Sequence, residues 1–248
     1  MNTFWLKIYA PFAAYRGFQA GVYRSTAPVM PPSAAYGLVL NLAGIEMRDP
    51  TPNFTTLILK DIPKLEIAVG VISQPEQSSL YQQLHSYPVG NSGKPKKADT
   101  QAEKDKSLES LSKGAKFWIS PVRREILIDY VGLIGVRSDE EKFTQTYGES
   151  LLALITKGLR GELERKYGLP FAGDNNLLFD RIDLIEKPDS ETSWYTRMMP
   201  DNAPRKGSCR LTVGIDRTDN SKTSAPLFAP SEKSSIPPES AWTWTPHE

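Results

Sequence analysis

The run of residues 123–137 (RREILIDYVGLIGVR) limits the possible folds of this chain more than any other stretch. Its centre is apolar at both odd and even positions, which is typical of a strand in the middle of a sheet that is covered on both faces. Gly132 and Gly135 within the run indicate a bulge or a close approach by another backbone. The chain therefore has to build a sheet around this interior strand.

A strand followed by a helix is predicted near the amino end. Residues Thr3–Tyr9 (TFWLKIY) mix aromatic and β-branched side chains, which favours a strand. Residues 10–30 then form a long connection. Pro31, Pro32 and Ser33 begin a helix that Gly44 ends. Its apolar positions follow the helical spacing: Ala35, Leu38, Val39 and Leu42.

The remaining elements indicate an α+β fold. Further strands are predicted at Thr55–Lys60, Leu65–Ile72, Leu177–Glu186, Ser193–Met198 and Arg210–Ile215, and a helix at Ser138–Thr156. The first 140 residues thus run strand, helix, strand, strand, polar insertion, strand. That order is close to the ferredoxin-like or RRM arrangement, an antiparallel sheet with helices on one face. The open face of such a sheet can bind single-stranded RNA.

Composition divides the chain into four parts. Residues 1–72 and 121–160 form the RRM-like domain, and residues 73–120 form a polar, basic insertion. Residues 94–124 contain nine Lys or Arg but only four Asp or Glu. Residues 161–218 form a small β-rich part. Residues 219–248 contain five Pro and six Ser, a composition that predicts a flexible tail.

Few residues are suited to catalysis, metal binding or membrane insertion. The chain has only two histidines, His85 and His247, and a single cysteine, Cys209, which fits a reducing compartment such as the cytoplasm. These residues are too few for a His/Cys metal site, and no phosphate-binding glycine loop is present. No apolar run approaches the roughly 18 residues that a membrane span needs. We therefore expect a cytoplasmic protein without cofactor, metal, catalytic residues or membrane contact.

The first 45 residues combine cations and aromatic rings without a single acid. The first carboxylate is Glu46, and eight of the 24 aromatic residues lie in this stretch. Such a surface would hold a flat, anionic ligand, so we expect Arg16 and Arg24 to contact RNA. Tyr15 and Tyr23 would stack on unpaired bases, although core packing is the alternative for both rings.

Other residues are candidates for binding. Lys94, Lys96 and Lys97 would follow a phosphate backbone, the alternative being a solvated loop. The adjacent Arg123 and Arg124 favour phosphate contact. Two rings in the predicted tail would fill the groove of a partner protein: Trp242 and Trp244.

Three segments together resemble the fifth Cas family of CRISPR-associated proteins. They are residues 9–45 (YAPFAAYRGFQAGVYRSTAPVMPPSAAYGLVLNLAGI), residues 123–136 (RREILIDYVGLIGV) and residues 167–182 (YGLPFAGDNNLLFDRI). The family's aromatic-Arg loop corresponds to Tyr15-Arg16, and its Ser/Thr-rich stretch to Arg24-Ser25-Thr26. The likeness covers roughly Trp5 to Glu186. The variety it most resembles is that of type I-B and Myxan-type systems.

The resemblance implies a function and a set of partners. Family members are RNA-binding subunits of the Cascade complex, in which they hold the five-prime handle of the CRISPR RNA (crRNA), serving RNA-guided DNA targeting in antiviral defence. They cap the filament of backbone subunits and contact the large subunit, and they meet target DNA only through the complex. The implied fold is a modified RRM of the RAMP type, with a thumb and a smaller β-rich part. Tyr15, Arg16, Arg24, Ser25 and Thr26 are then expected to contact RNA.

Different functions stay open at the level of sequence. A metal-independent endoribonuclease that matures precursor crRNA would use Lys and Tyr as acid and base, which requires shifted pKa values. The same sequence is also compatible with a scaffold that binds no RNA and with a subunit of a CRISPR-guided transposition complex. We expect the non-catalytic RNA-binding role.

Overall fold

The computed structural model describes residues 2–17, 23–51, 56–86, 118–164, 168–203 and 205–246. These residues belong to two compact units. The first unit comprises residues 1–18, 26–78 and 126–248, and the second comprises residues 19–25 and 79–125. The second unit therefore overlaps the basic insertion of the sequence. Lys94, Lys96 and Lys97 lie outside the described residues.

A largely antiparallel sheet forms the framework of the first unit. Its strands are β1 (Asn2–Ala13), β3 (Leu65–Val71), β5 (Trp118–Ser138), β6 (Arg181–Ile185), β7 (Thr192–Arg197), β8 (Cys209–Arg210), β9 (Leu227–Ser234) and β10 (Thr243–Thr245). The strand order is β6-β1-β5-β3-β7-β9-β8, and β10 pairs with β3. As the apolar run predicts, β5 is interior, with antiparallel neighbours β1 and β3 on its two sides. Together with the helices, this sheet confirms the α+β fold class.

Among the described residues, three helices pack on one face of this sheet. Helix α1 (Pro32–Leu42) begins after Pro31, and the chain turns at Gly44, whose φ is 70°, as predicted. Helices α2 (Glu140–Tyr147) and α3 (Leu151–Leu159) replace the single helix predicted over Ser138–Thr156. That prediction is wrong because Gly148 is left-handed, with φ 81°, and ends α2. The Ser150 hydroxyl then accepts from the Ala153 N–H and begins α3.

The sheet separates two apolar clusters. The larger cluster joins even-numbered β1 residues such as Leu6 and Ile8 to the buried faces of α1, α2 and α3. The smaller cluster lies on the opposite face. It contains Trp5, Ala68, Leu133, Trp194 and Ala241, with Trp242 packed against it. Both faces of the central strand are therefore covered, which explains why the centre of the run is apolar at both odd and even positions.

The carboxyl-terminal residues are part of this fold. Strand β9 pairs with both β7 and β8, and its Phe228 and Ala229 are fully buried. Strand β10 pairs with Leu65–Ile67 of β3. The prediction of a flexible tail over residues 219–248 is therefore wrong for its described part. Its composition indicates that the segment cannot order itself alone, but the apolar side chains of this segment are buried by the rest of the sheet rather than by one another.

Smaller differences concern short apolar runs. Residues 56–60 make only one isolated bridge, between Ile58 and Arg48, so the strand predicted at Thr55–Lys60 is wrong over its described part. Of the strand predicted at Arg210–Ile215, only Arg210 lies in a strand, which is β8 (Cys209–Arg210). Gly214 makes an isolated bridge to Ser224. A strand needs a partner along its length, which local sequence does not supply.

The second unit contains short pieces of sheet. Strand β2 (Tyr23–Arg24) runs parallel to the first part of β5, and β4 (Glu76–Ser86) also pairs with β5. The basic insertion thus starts and finishes in β-structure over its described residues. No helix in the described ranges is long and apolar enough to cross a membrane.

Candidate nucleic-acid interface

Strand β2 brings together two groups of residues that are far apart in the sequence. Tyr23 lies opposite Arg123, and Arg24 lies opposite Arg124, in a parallel pairing of β2 with β5. Successive side chains of a strand point to opposite faces. One face of this pair therefore carries Tyr23 and Arg123. Both residues were expected to contact RNA, but the sequence did not indicate that they are neighbours.

The Tyr23 face is exposed and combines a ring with a cation. Tyr23 is 44% exposed, and the Arg123 guanidinium lies 5.6 Å from the centre of its ring. The Arg123 Nε donates to the Ser79 hydroxyl at 3.2 Å, which restrains the side chain. The Tyr23 hydroxyl donates to the Glu125 carboxylate. We call Tyr23, Arg123 and Glu125 the β2–β5 cluster.

The hydrogen bond to Glu125 also affects the protonation of the phenol. It raises the pKa of Tyr23 above its ordinary value, with smaller contributions from desolvation and from the Glu125 charge, while Arg123 opposes them. The hydroxyl is therefore a proton donor at neutral pH rather than a general base. The hydrogen bond to Glu125 holds the Tyr23 ring in position through its hydroxyl, and the exposed part of the ring is accessible for stacking.

The opposite face of the β2–β5 pair is less accessible. Arg124 is only 7% exposed, and Arg24 is half-buried. At that exposure the Arg124 side chain has little surface to offer a phosphate, so this structure contradicts the phosphate contact predicted for it. Arg24 and the half-buried Ser25 stay candidates for RNA contact.

In the first unit, the aromatic-Arg pair of the sequence is oriented inward. Tyr15 is 1% exposed, and its ring meets Tyr130 edge-on, with the ring centres 5.4 Å apart. The predicted stacking of Tyr15 on a base is therefore wrong in this structure, and core packing is its role. The Tyr15 N–H donates to the Thr26 hydroxyl at 2.8 Å, so Thr26 holds the backbone here.

The charge of Arg16 is balanced within the protein. Its guanidinium lies 2.7 Å from the Asp174 carboxylate, and its side chain is half-buried. Asp174 belongs to the loop 168–176, which is packed so closely that the Gly173 backbone meets the Ala14 carbonyl oxygen. Arg16 therefore anchors this loop, and its attraction for a phosphate is reduced by the carboxylate.

The two tryptophans expected in a partner's groove differ. Trp242 packs against Trp5, with ring centres 5.9 Å apart, and against the Arg137 guanidinium at 3.9 Å. The expectation that it fills a partner's groove is wrong, because its ring is covered by its own chain. Trp244 is 39% exposed, and its partner-binding role stays a prediction.

A cavity in the first unit was not predicted from the sequence. It has a volume of about 490 Å³ and lies between α1, the residues that follow it, and residues 168–173. Ala34 and Gly37 of α1 leave this space because they have little or no side chain, while Leu169 and Phe171 are exposed at its edge. In the sequence, the small residues of α1 were the feature that could have indicated this cavity.

Among the residues that the structure describes, no three His, Cys, Asp or Glu side chains are close enough to hold a metal ion.

A family model identifies the chain. The model of the CRISPR-associated protein family (Cas_Cas5) matches residues 3–160, which is more than half of the sequence. The chain belongs to this family. The matched residues include Tyr23, Arg123 and Glu125, whereas α3 ends at the limit of the match and the strands β6 to β10 lie beyond it.

One solved structure shows a similar fold, and a second matches with a lower score. A chain of a CRISPR RNA-guided surveillance complex matches with a TM-score of 0.51 and 14% sequence identity, covering 93% of this chain and 90% of that one. A crystal structure of a Cas protein matches with a TM-score of 0.46 and 13% identity, covering 94% and 96%. No curated protein sequence matches the chain. The first likeness covers 93% of this chain, so the shared fold continues beyond residue 160.

Proposed function

We propose that this Cas_Cas5 family member is a non-catalytic, crRNA-binding subunit of a Cascade surveillance complex, and that it holds the five-prime handle of the crRNA. The observation that carries the proposal is the β2–β5 cluster, in which an exposed ring lies beside an exposed guanidinium. Unpaired RNA is bound by this combination, because bases stack on rings and phosphates pair with arginine.

The two side chains have different tasks. Arg123 contacts a phosphate and supplies affinity that depends on salt but not on base identity. Tyr23 stacks on a base that is splayed out of the handle. Its hydroxyl bond to Glu125 keeps the ring in position before RNA arrives, so less conformational entropy is lost on binding. Arg24, Ser25, Lys94, Lys96 and Lys97 extend the contact along the backbone of the RNA.

A non-catalytic role agrees with the chemistry of the cluster. Cleavage by 2′-hydroxyl attack needs a general base with a pKa near the operating pH. The raised pKa of Tyr23 is unfavourable for a base. The cluster binds RNA and does not cut it.

The assembly roles belong to the same proposal. The subunit caps the filament of backbone subunits and contacts the large subunit, as in the type I-B or Myxan-like variety that its sequence resembles. It meets target DNA only through the complex and works in the cytoplasm. The exposed ring of Trp244 is available to a neighbouring subunit.

The proposal predicts a loss of RNA affinity when the β2–β5 cluster is changed. Tyr23→Ala removes one stacked base, worth about 1–3 kcal/mol, so we expect roughly tenfold weaker binding. Arg123→Ala removes one phosphate contact, which reduces the slope of log K against log salt by about 0.7 for a single strand. Fluorescence anisotropy with a synthetic five-prime-handle RNA, titrated at several salt concentrations, measures both effects.

A matched control distinguishes a specific contact from a general change of charge. Arg160→Ala removes an exposed arginine at the end of α3, beside Glu162, and is expected to leave handle affinity unchanged. Equal weakening by Arg160→Ala and Arg123→Ala would contradict the proposed site. Incubating the wild-type protein with repeat RNA in the absence of metal tests the second part, since specific cleavage products would exclude a non-catalytic role.

A further inference from the structure

The sheet face opposite the helices carries rings and cations in a row. Trp5, Lys7 and Tyr9 alternate along β1 and therefore share one face. Lys7 lies 5.8 Å from the centre of the Tyr9 ring, and its ammonium donates to the Asp189 carboxylate at 2.8 Å, so Arg137 is the main cation of this face. Arg137 of β5 extends the same face, because Arg137 pairs with Thr3 while Trp5 pairs with Gly135. Aromatic side chains and cations on a sheet face are what single-stranded nucleic acid needs for stacking and phosphate contact.

Part of this face is occupied by the chain itself. Residues 239–242, which we call the cover segment, place a carboxylate and a ring on the same arginine. The Glu239 carboxylate accepts two hydrogen bonds from the Arg137 guanidinium, at 2.9 and 3.2 Å. The Trp242 ring lies 3.9 Å from that guanidinium and beside Trp5. An anion in the plane of the guanidinium and a flat ring on its face are what a nucleotide would supply.

The sheet is adapted to this close approach. A Cβ atom at Gly135 would lie 2.6 Å from the Trp5 ring and 2.8 Å from the Trp242 ring. Only glycine leaves room for both rings at that point of β5, because these distances are shorter than real Cβ contacts. The space that receives Trp242 is therefore large enough for a flat ring stacked against Arg137.

The cover segment is held less well than the rest of the core. The Glu239 side chain is 78% exposed, so solvent screens its pairing with Arg137. Within the cover segment, Trp242 Nε1 is buried without a hydrogen-bond partner among the described residues. Buried donors that lack a partner reduce the stability of the conformation that buries them. The segment can thus be displaced more readily than the strands beneath it.

We propose that the face around Trp5 and Arg137 is a second site for single-stranded nucleic acid, which the cover segment occupies from within the chain. A base takes the place of the Trp242 ring, and a phosphate takes the place of the Glu239 carboxylate. Arg137 also lies 3.6 Å from the Glu66 carboxylate of β3, which stays beside it when the cover segment is displaced, so displacement frees the part of its charge that Glu239 balances. This site does not depend on the β2–β5 cluster.

Weakening the cover should increase affinity for unstructured strands. Fluorescein-labelled decauridine and decathymidine are the probes, because they share phosphates and pyrimidine bases and do not fold. Glu239→Gln removes one charge from an exposed position, and we expect about fivefold tighter binding of both strands by fluorescence anisotropy. Trp242→Ala removes the ring from this position and should give about tenfold tighter binding of both strands. Ile236→Ala, at an exposed position three residues before Glu239, is the control and should leave both affinities unchanged.

Two further variants assign the gain to this face. In the Glu239→Gln background, Arg137→Ala should abolish the gain in affinity. Tyr23→Ala combined with Arg123→Ala should lower the affinity itself, but the ratio of the affinity with Glu239→Gln to the affinity without it should be preserved. Thermal unfolding of Glu239→Gln checks that the fold is retained. No gain from Glu239→Gln in folded protein, or a gain that persists without Arg137, overturns the second site and leaves the handle-binding role untouched. Loss of the gain with Tyr23 and Arg123 also overturns it.

Discussion

The arginines of this chain show how differently one residue type can be used. Arg123 is exposed beside a ring, Arg124 is 7% exposed, and Arg16 is paired with Asp174 at 2.7 Å. In the sequence all three lie in acid-poor or basic surroundings, and each was expected to contact RNA. Their fates differ because strand alternation turns neighbours to opposite faces, and because a distant loop supplies the carboxylate for Arg16.

Cys209 permits a test of burial at a single residue. Burial raises the pKa of the Cys209 thiol from 9.0 to about 11, since the thiolate is poorly solvated inside the protein. Its thiolate population at pH 8 is therefore about a hundredfold smaller than that of an exposed cysteine. We expect reaction with a chromogenic disulfide reagent to be at least that much slower in the native protein than in urea. Equal rates would contradict the buried position.

At the scale of elements, close contacts between helices and turns decide where segments begin and end. The helix predicted over Ser138–Thr156 has the right apolar spacing, yet Gly148 and Ser150 divide it into α2 and α3. The division lets Leu151 and Ile155 reach the core from a different direction. A capping serine is visible in the sequence, but a glycine inside a helical pattern is ambiguous without the contacts around it.

Gly158 should be intolerant of a side chain although it lies in a helix. A Cβ atom there would be 1.8 Å from the Leu42 carbonyl oxygen, at the end of α1. Because backbone cannot move as easily as a side chain, we expect Gly158→Ala to lower the free energy of unfolding by about 3 kcal/mol. Urea unfolding followed by circular dichroism measures the change.

Gly37 provides the matched control, since it is also in a helix but no described atom outside its own helix backbone lies within 4 Å of its Cβ position. Helix propensity then dominates, and Gly37→Ala should stabilise the protein by up to about 1 kcal/mol. The opposite signs are the essential result. If both substitutions destabilised equally, the close α1–α3 contact would not be the reason.

At the scale of the whole molecule, the carboxyl-terminal segment completes a sheet that starts at residue 2. β9 pairs with β7, and the Trp194 indole N–H donates to the Ser234 carbonyl at 3.1 Å. β10 pairs with β3, and its Thr245 is buried. These contacts join the carboxyl-terminal segment to β7 and to β3, which lies far away in the sequence. Their stabilising effect depends on long-range pairing, for which a local composition rich in Pro and Ser gives no indication.

Removal of this segment should therefore prevent cooperative folding. A chain that ends at Pro226 lacks β9 and β10 and exposes the edges of β7 and β3, together with the apolar contacts of Phe228. We expect no cooperative thermal transition by circular dichroism for this chain. Ile236→Ser, at an exposed position of the same segment, should leave the transition midpoint unchanged. A cooperative transition in the shortened chain would show that the segment is peripheral.

The sequence by itself determined the α+β class, the interior position of β5, the start and end of α1, and the Cas_Cas5 family. Each of these follows from local patterns: a run that is apolar on both faces, proline and glycine at helix ends, and motifs in a characteristic order. Only the tertiary structure decided which rings and cations reach solvent, that Tyr23 lies beside Arg123, and that residues 239–242 cover Arg137. Those outcomes depend on pairing between segments far apart in the chain, because burial and charge balance are properties of the assembled sheet.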